Sequence, residues 1–458
     1  MKRQDLTQGV IWKQLLLFAL PLLASSFIQQ LYNTVDLLFA GTLGKEATAA
    51  VGASSLVITC VVGFFTGLSV GVSVVVSQAV GARNGAKICR AVHTGVAVSL
   101  IIGGALAVLG IALARVILGW MQTPEEIMAD SVAYVRLYLL CMVPLVLYNM
   151  NAGIIRAAGD SRTPMRVQLV GGVTNVILDA LAVLVFHAGI RGVALASTVS
   201  QGVAAWLTVR YLQKAEGDFH LDLRRIRIDG GILWEVVRIG APAGLQNLVI
   251  TLSNVFVQYK INGFGVDSVA AFASYFKVEL LNYLPIVAFG QAMMTFSGQN
   301  IGAGKADRVK KGVRVCILMG AAYVVCSAGL LLLFGKQAFW VFNRDPGVIA
   351  CGLRIIRVTF PFYWLYVILE VLADATRGAG KSLPPMLIIL FNICVLRTVL
   401  LFAFTARWHV LEAVAATYPI AWFTAALCLL IYWLRGAWKP QSGKEEQHES
   451  NRDQPELV

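Results

Sequence analysis

The sequence predicts an all-α polytopic membrane protein. It has twelve transmembrane helices in two six-helix lobes related by pseudo-twofold symmetry. Three observations predict this. First, the 458 residues are 58% hydrophobic and 14% charged, whereas a soluble protein carries about 25% charged residues. Second, apolar runs of about 20 residues, enough to cross a bilayer as a helix, recur along the chain. Third, the chain repeats itself at an offset of 221. Pro21 then meets Pro242, Asn33 meets Asn254, Gly44 meets Gly265, Gln78 meets Gln299, and Gly81 meets Gly302. RAAGDSRTPM from Arg156 meets RGAGKSLPPM from Arg377. One constant offset over almost a half-chain marks a duplication.

The twelve expected spans run at 11–38, 49–74, 91–114, 131–153, 165–187 and 190–212, then 232–257, 268–296, 312–335, 350–373, 384–406 and 411–434. They divide the chain into a first lobe (1–212), a polar linker (213–231), a second lobe (232–435) and a polar tail (436–458) expected to be disordered. Six spans per half make both halves enter the membrane the same way round. Transporters built of parallel halves bind substrate near the midplane and rock one half against the other.

The net charge of +13 lies mostly between apolar segments. Nucleic-acid binding is therefore not expected, and positive-inside topology is the better explanation. Lys and Arg gather on one side, from Arg83 and Lys87 through Arg224 and Arg225 to Lys310, Arg377 and Lys381. This puts both termini in the cytoplasm, and the expected location is multi-pass in a bacterial cytoplasmic (inner) membrane. Residues 1–20 lack a small-residue cleavage site, so no cleavable signal peptide is expected. Five scattered histidines offer no metal-ligand spacing, and most of the eight cysteines fall inside apolar runs as core residues. No metal and no cofactor are expected.

Asp36 ends the first apolar run, and Asp179 lies in the fifth. An ionisable group at membrane depth costs roughly 2.5 to 3.5 kcal/mol even on lenient scales, and such groups are functional by default. Asn175 and Asp179 are spaced i,i+4, and Asn33 and Asp36 i,i+3, so each pair shares a helix face. Gln29 and Asn33 are candidate residues of a first-lobe cavity. Two close carboxylates can share a proton, or, with amide and hydroxyl oxygens, hold sodium at Asp36, Asn175 and Asp179. The plainer alternative places both aspartates at helix ends, bonded to neighbours.

The offset sets Val257 opposite Asp36 and Leu400 opposite Asp179, so the second half lacks this pair. It carries Lys277, Glu279, Glu370, Asp374 and Arg397 instead. These form either a neutralising salt-bridge network or a second substrate or coupling site. The glycine-rich stretches Gly81–Gly85 and Gly302–Lys305 lack P-loop context and are expected to be tight turns. With no ATPase motif, an ion gradient is the power source. One charge crossing about 100 mV supplies roughly 2.3 kcal/mol.

TQGVIWKQLLLFALPLLASSFIQQLYNTVD, SQAVGARNG, RAAGDSRTPM, NVILD, GIRGVALASTVSQ and SGQNIGAGK together resemble the multidrug and toxic compound extrusion (MATE) family. The resemblance covers nearly the whole chain and is closer to the DinF-type branch. It implies a MATE-like fold and a cation-coupled antiporter, driven by H+ or Na+, that exports organic, often cationic, compounds by alternating access; H+ is expected over Na+ because a two-carboxylate site suffices for it. Partners are then small organic substrates and the lipid bilayer, and the protein acts as a monomer. The branch's cation site falls here on Asp36, Asn175, Asp179 and Ser197, where Ser197 stands in place of a threonine. The NorM-type branch has acids in its seventh and tenth helices. Here the seventh offers the amides Gln246, Asn247 and Gln258, so a second-lobe site of that type is not expected.

The alternative within the wider superfamily is a flippase for lipid-linked saccharide precursors. An intramembrane enzyme is not expected, because no convergent nucleophile and base and no metal motif are found.

Overall fold

The computed structural model describes residues 4–120 and 122–439, with residues 45–58 described by backbone alone. The expected tail therefore lies outside the described residues from 440 onward.

The first half contains six long helices: α1 (Ile11–Thr42), α2 (Lys45–Gly81), α3 (Gly85–Trp120), α4 (Glu125–Ala157), α5 (Arg162–Val185) and α6 (Gly189–Gln213). The second half contains α7 (Gly230–Asn262), α8 (Val266–Gly302), α9 (Ala306–Leu333), α10 (Pro346–Gly378), α11 (Leu383–Arg407) and α12 (Leu411–Leu434). A turn at Cys141 interrupts α4, and a 3-10 turn at Phe360–Phe362 interrupts α10, where Pro361 cannot donate a helical hydrogen bond. Single π-helical stretches lie at Leu181–Val185, just past Asp179, and at Leu390–Leu396, just before Arg397. Such bulges often accompany functional sites.

Ten of these helices are long and apolar enough to cross a membrane by composition alone; α7 and α8 are not among them. At 33 and 37 residues both are long enough. Their polar groups are spent inside the protein: Gln246, Ser253 and Asn282 are buried. Satisfying polar groups between helices lets such segments span hydrocarbon.

The duplication is visible in the backbone. Left-handed residues recur at the same offset: Gly44 and Gly265, Arg83 and Gly304, Gly159 and Gly380. In the Gly81–Gly85 turn, Arg83 takes the left-handed angle, not a glycine. Gly81 is kept for another reason: a Cβ there would lie 1.9 Å from the Gln299 carbonyl.

The two halves are interleaved. Leu15, Phe18 and Leu22 of α1 belong to the hydrophobic cluster of the second half. Ile232, Val236 and Ile239 of α7 belong to that of the first. Pro21 and Pro242 lie inside these two helices. The α2–α7 seam is dense because Gly67 and Gly71 face Gly240 and Gly244. A Cβ on Gly67 would sit 2.1 Å from Gly244 N, and one on Gly240 would sit 2.8 Å from Leu68 Cα. Small residues four apart let membrane helices touch through their backbones.

The helix ends bearing most Lys and Arg form a basic end, where residues 4–9 and the linker dock. Leu6 is fully buried. Its N–H donates to Gln299 Oε1 at 3.1 Å, and its carbonyl accepts from Asn300 Nδ2 at 3.1 Å. Gln4 N donates to the Gly159 carbonyl in the first half at 3.1 Å. The linker buries Phe219 and Leu221 and is pinned to α3. Asp222 N donates to His93 Nε2 at 3.2 Å, and Asp229 N to Thr94 Oγ1 at 3.1 Å. Asp229 then caps α7, accepting from Ile232 N at 3.0 Å.

Candidate functional site

Asp36 comes from the latter half of α1, Asn175 and Asp179 from the last two turns of α5 before its π-helical stretch, and Ser197 from α6. α1 packs against α5, and α5 against α6, so residues far apart in sequence converge. Ser197 Oγ donates to Asp36 Oδ2 at 3.3 Å. Asp36 is also within hydrogen-bonding reach of Asp179 and Asn175. Asp179 is fully buried and Asn175 nearly so, whereas Asp36 is half-buried.

The polar atoms here are poorly satisfied. Asp36 Oδ1, both Asp179 oxygens and both polar atoms of Asn175 are buried without a hydrogen bond of good geometry. Two carboxyl groups face each other as acceptors, and neither can donate while ionised. A proton between them, or a cation on them, answers that arrangement chemically.

Sequence reasoning missed the aromatic shell. Tyr32, Tyr134, Tyr138 and Cys141 all lie close enough to feel the Asp36 charge. Tyr32 Oη accepts from Gln168 Nε2 at 3.2 Å and from Gln201 Nε2 at 3.4 Å, tying α1 to α5 and α6. Tyr32 lies four residues before Asp36, so helical spacing was the available signal. Gln29 and Asn33 are exposed.

The five second-lobe charges do not form one network. Lys277 is exposed and lies 5.8 Å from the Phe342 ring centroid. Glu279, two residues on, points elsewhere and accepts from Tyr275 Oη at 3.0 Å and Tyr363 Oη at 2.6 Å. Residues two apart on a helix do not share a face. Arg397 donates to Ser253 Oγ at 3.0 Å and Asn254 Oδ1 at 2.9 Å, with its guanidinium 5.2 Å from the Tyr418 ring centroid. Asp374 pairs with Arg377, which donates to Gln246 Oε1 at 2.9 Å. Arg377 thus turns inward, 7% exposed, although its loop position suggested a cytoplasmic charge. Glu370 sits beside Asp374, and both press on Gly290 of α8.

Among the described residues, no group of three or more His, Cys, Asp or Glu is placed to hold a metal ion.

The MatE family model matches residues 21–181 and again residues 242–403, so both halves carry it at the offset of the repeat. The probable multidrug resistance protein YpnP of Bacillus subtilis (strain 168) is 28% identical over 444 residues, covering 96% of this chain and 98% of that protein. The probable multidrug resistance protein YoeA of the same organism is 28% identical over 448 residues, covering 95% and 96%. A solved outward-facing multidrug resistance MATE family transporter of the MOP superfamily superposes with a TM-score of 0.90 at 22% identity, covering 96% of this chain and 99% of that one. That likeness shows the twelve-helix, two-lobe fold. The doubled family match, over a chain of twelve paired helices, shows that the protein belongs to the multidrug and toxic compound extrusion (MatE) family of membrane transporters.

Proposed function

We propose that the protein is a multidrug antiporter that exports organic, cationic compounds in exchange for protons that load Asp36 and Asp179. It works by alternating access in a bacterial cytoplasmic membrane, as a monomer with both termini inside. The observation that carries this reading is the facing carboxyl pair, with three of its four oxygens buried and without a donor. Protonation supplies the missing donor and removes the charge. Asp36 of the pair lies on α1, whose other half belongs to the core of the second lobe. A local change at Asp36 can therefore be transmitted to the relation between the lobes. Asn175 and Ser197 position the carboxyls. The relatives named for multidrug resistance support the substrate class.

The test is efflux of a fluorescent organic cation from liposomes, driven in turn by an imposed pH gradient and an imposed sodium gradient. Efflux under the pH gradient alone is expected. Efflux under sodium alone would keep the residues but make them ion ligands, with Asn175 and Ser197 adding oxygens. Efflux under neither would overturn the coupling assignment.

A further inference from the structure

We propose that the cleft between the start of α3 and the inter-lobe linker binds a phosphate-bearing anion, either a phospholipid headgroup or free phosphate. The cleft has a volume of about 470 Å³ and is lined by four arginines: Arg90 from α3, and Arg224, Arg225 and Arg227 from the linker. Arg90 pairs with Asp229 at 3.4 Å, and Arg225 with Asp222 at 3.3 Å. Arg224 and Arg227 have no acidic side chain within ion-pair distance among the described residues. Asp229 is the one carboxylate lining the cleft. The Ile232 N–H, and next to it the Arg90 charge, hold it below the usual carboxylate range, so it stays ionised. With Arg90 paired to Asp229 and Arg225 to Asp222, the charges of Arg224 and Arg227 leave the cleft net positive.

The arginines stand on a fixed floor. His93 and Thr94 hold the linker backbone at Asp222 and Asp229, and Phe219 and Leu221 are buried beneath it. The guanidinium fork suits phosphate oxygens, and a fixed backbone lowers the cost of gathering several forks on one anion.

The surroundings favour the headgroup. Leu223 (51% exposed) and Ile228 (43%) alternate with the arginines. Trp206 and Trp234, on the last turns of α6 and the first of α7, are also exposed, and the Arg210 guanidinium lies 5.6 Å from the Trp206 ring centroid. Exposed tryptophans at helix ends mark the membrane–water boundary. Basic pockets at that level on the cytoplasmic side suit anionic lipid headgroups. The site is separate from the carboxyl pair and does not depend on the coupling ion.

The test is thermal unfolding of the full chain in neutral detergent with added phosphatidylglycerol, phosphatidylcholine or inorganic phosphate. Three forms are compared: wild type, Arg224→Gln/Arg227→Gln, and Lys310→Gln/Lys311→Gln, which removes equal charge elsewhere at the basic end. Both pairs are surface positions, so all three forms are expected to fold. Phosphatidylglycerol is expected to raise Tm by several degrees in wild type and in the lysine variant, and by less than half as much in the arginine variant. Phosphatidylcholine should not act. An arginine-dependent rise with inorganic phosphate alone would keep the site and make its ligand soluble. Equal rises in all three forms, or none in wild type with either anion, would overturn the proposal.

Discussion

Gln78 of α2 and Gln299 of α8 each bind the opposite lobe. Gln78 Nε2 donates to the Gly378 carbonyl at 2.9 Å, and Gln299 Nε2 donates to the Ala157 carbonyl at 2.9 Å. Both the donors and the acceptors are related by the repeat offset of 221. At the same crossing a Cβ on Gly81 would lie 1.9 Å from Gln299 O, and one on Gly302 would lie 2.0 Å from Gln78 O. The basic end is closed by a pair of pseudo-twofold-related bonds, and opening it must break both.

Losing one such bond costs about 1 kcal/mol, or about fivefold in an equilibrium. Gln78→Ala and Gln299→Ala should each raise labelling of a cysteine placed at the fully buried Ser297 by about that factor. The effect should be larger for Gln299, which also holds Leu6. Wild-type labelling in the double variant would refute the latch.

Asp36→Asn and Asp179→Asn should each abolish proton-driven efflux while leaving expression intact. Ser197→Ala should weaken efflux without abolishing it, since it removes one donor to Asp36. Dye efflux at fixed pH gradient is the measurement. Full activity in Asp36→Asn would remove the carboxyl pair from the mechanism.

Gly71→Ala and Gly240→Ala would put a methyl group into opposing backbone, 2.2 Å from Val236 O and 2.8 Å from Leu68 Cα. Overpacking of this kind costs about 1–3 kcal/mol. Thermal unfolding in detergent should show that loss, whereas Gly104→Ala, with open space around it, should not.

Asp374→Ala leaves the Arg377 guanidinium buried and unpaired, which costs about 3–5 kcal/mol. Asp374→Leu/Arg377→Met removes both charges and should recover much of that loss in the same unfolding assay. A double variant as unstable as the single one would show that the pair does more than neutralise itself.

Asp229 provides a pH-dependent contribution. Its pKa is depressed in the folded protein, chiefly by the Ile232 N–H. The stability it adds is present above the ordinary carboxylate pKa of about 4 and is lost as pH falls through the folded value. Asp229→Ala should cost about 1 kcal/mol near pH 7 by loss of the helix cap. The difference from wild type should shrink below about pH 4. Unfolding curves across that range are the check.

Much was legible in the sequence because hydropathy and helical period are local properties. The expected span 411–434 coincides with α12, and 11–38 falls within α1. The Asn175–Asp179 spacing placed both residues on one face of α5, where they lie. Sequence reasoning grouped Lys277 with Glu279, although residues two apart on a helix diverge. Gln78 and Gln299 were visible as a repeated pair, but nothing local says that each reaches the other's lobe.

The sequence by itself determined a duplicated, twelve-span membrane chain with unpaired-looking acids in the first half. Tertiary structure alone decided which polar groups meet. It turned Arg377 inward to Asp374, brought Asp36 to Ser197 across more than a hundred residues, and seated Leu6 on Gln299. The physical reason is that burial in a bilayer is set by the composition of each segment. A hydrogen-bond partner is set by where two helices, remote in the chain, happen to cross.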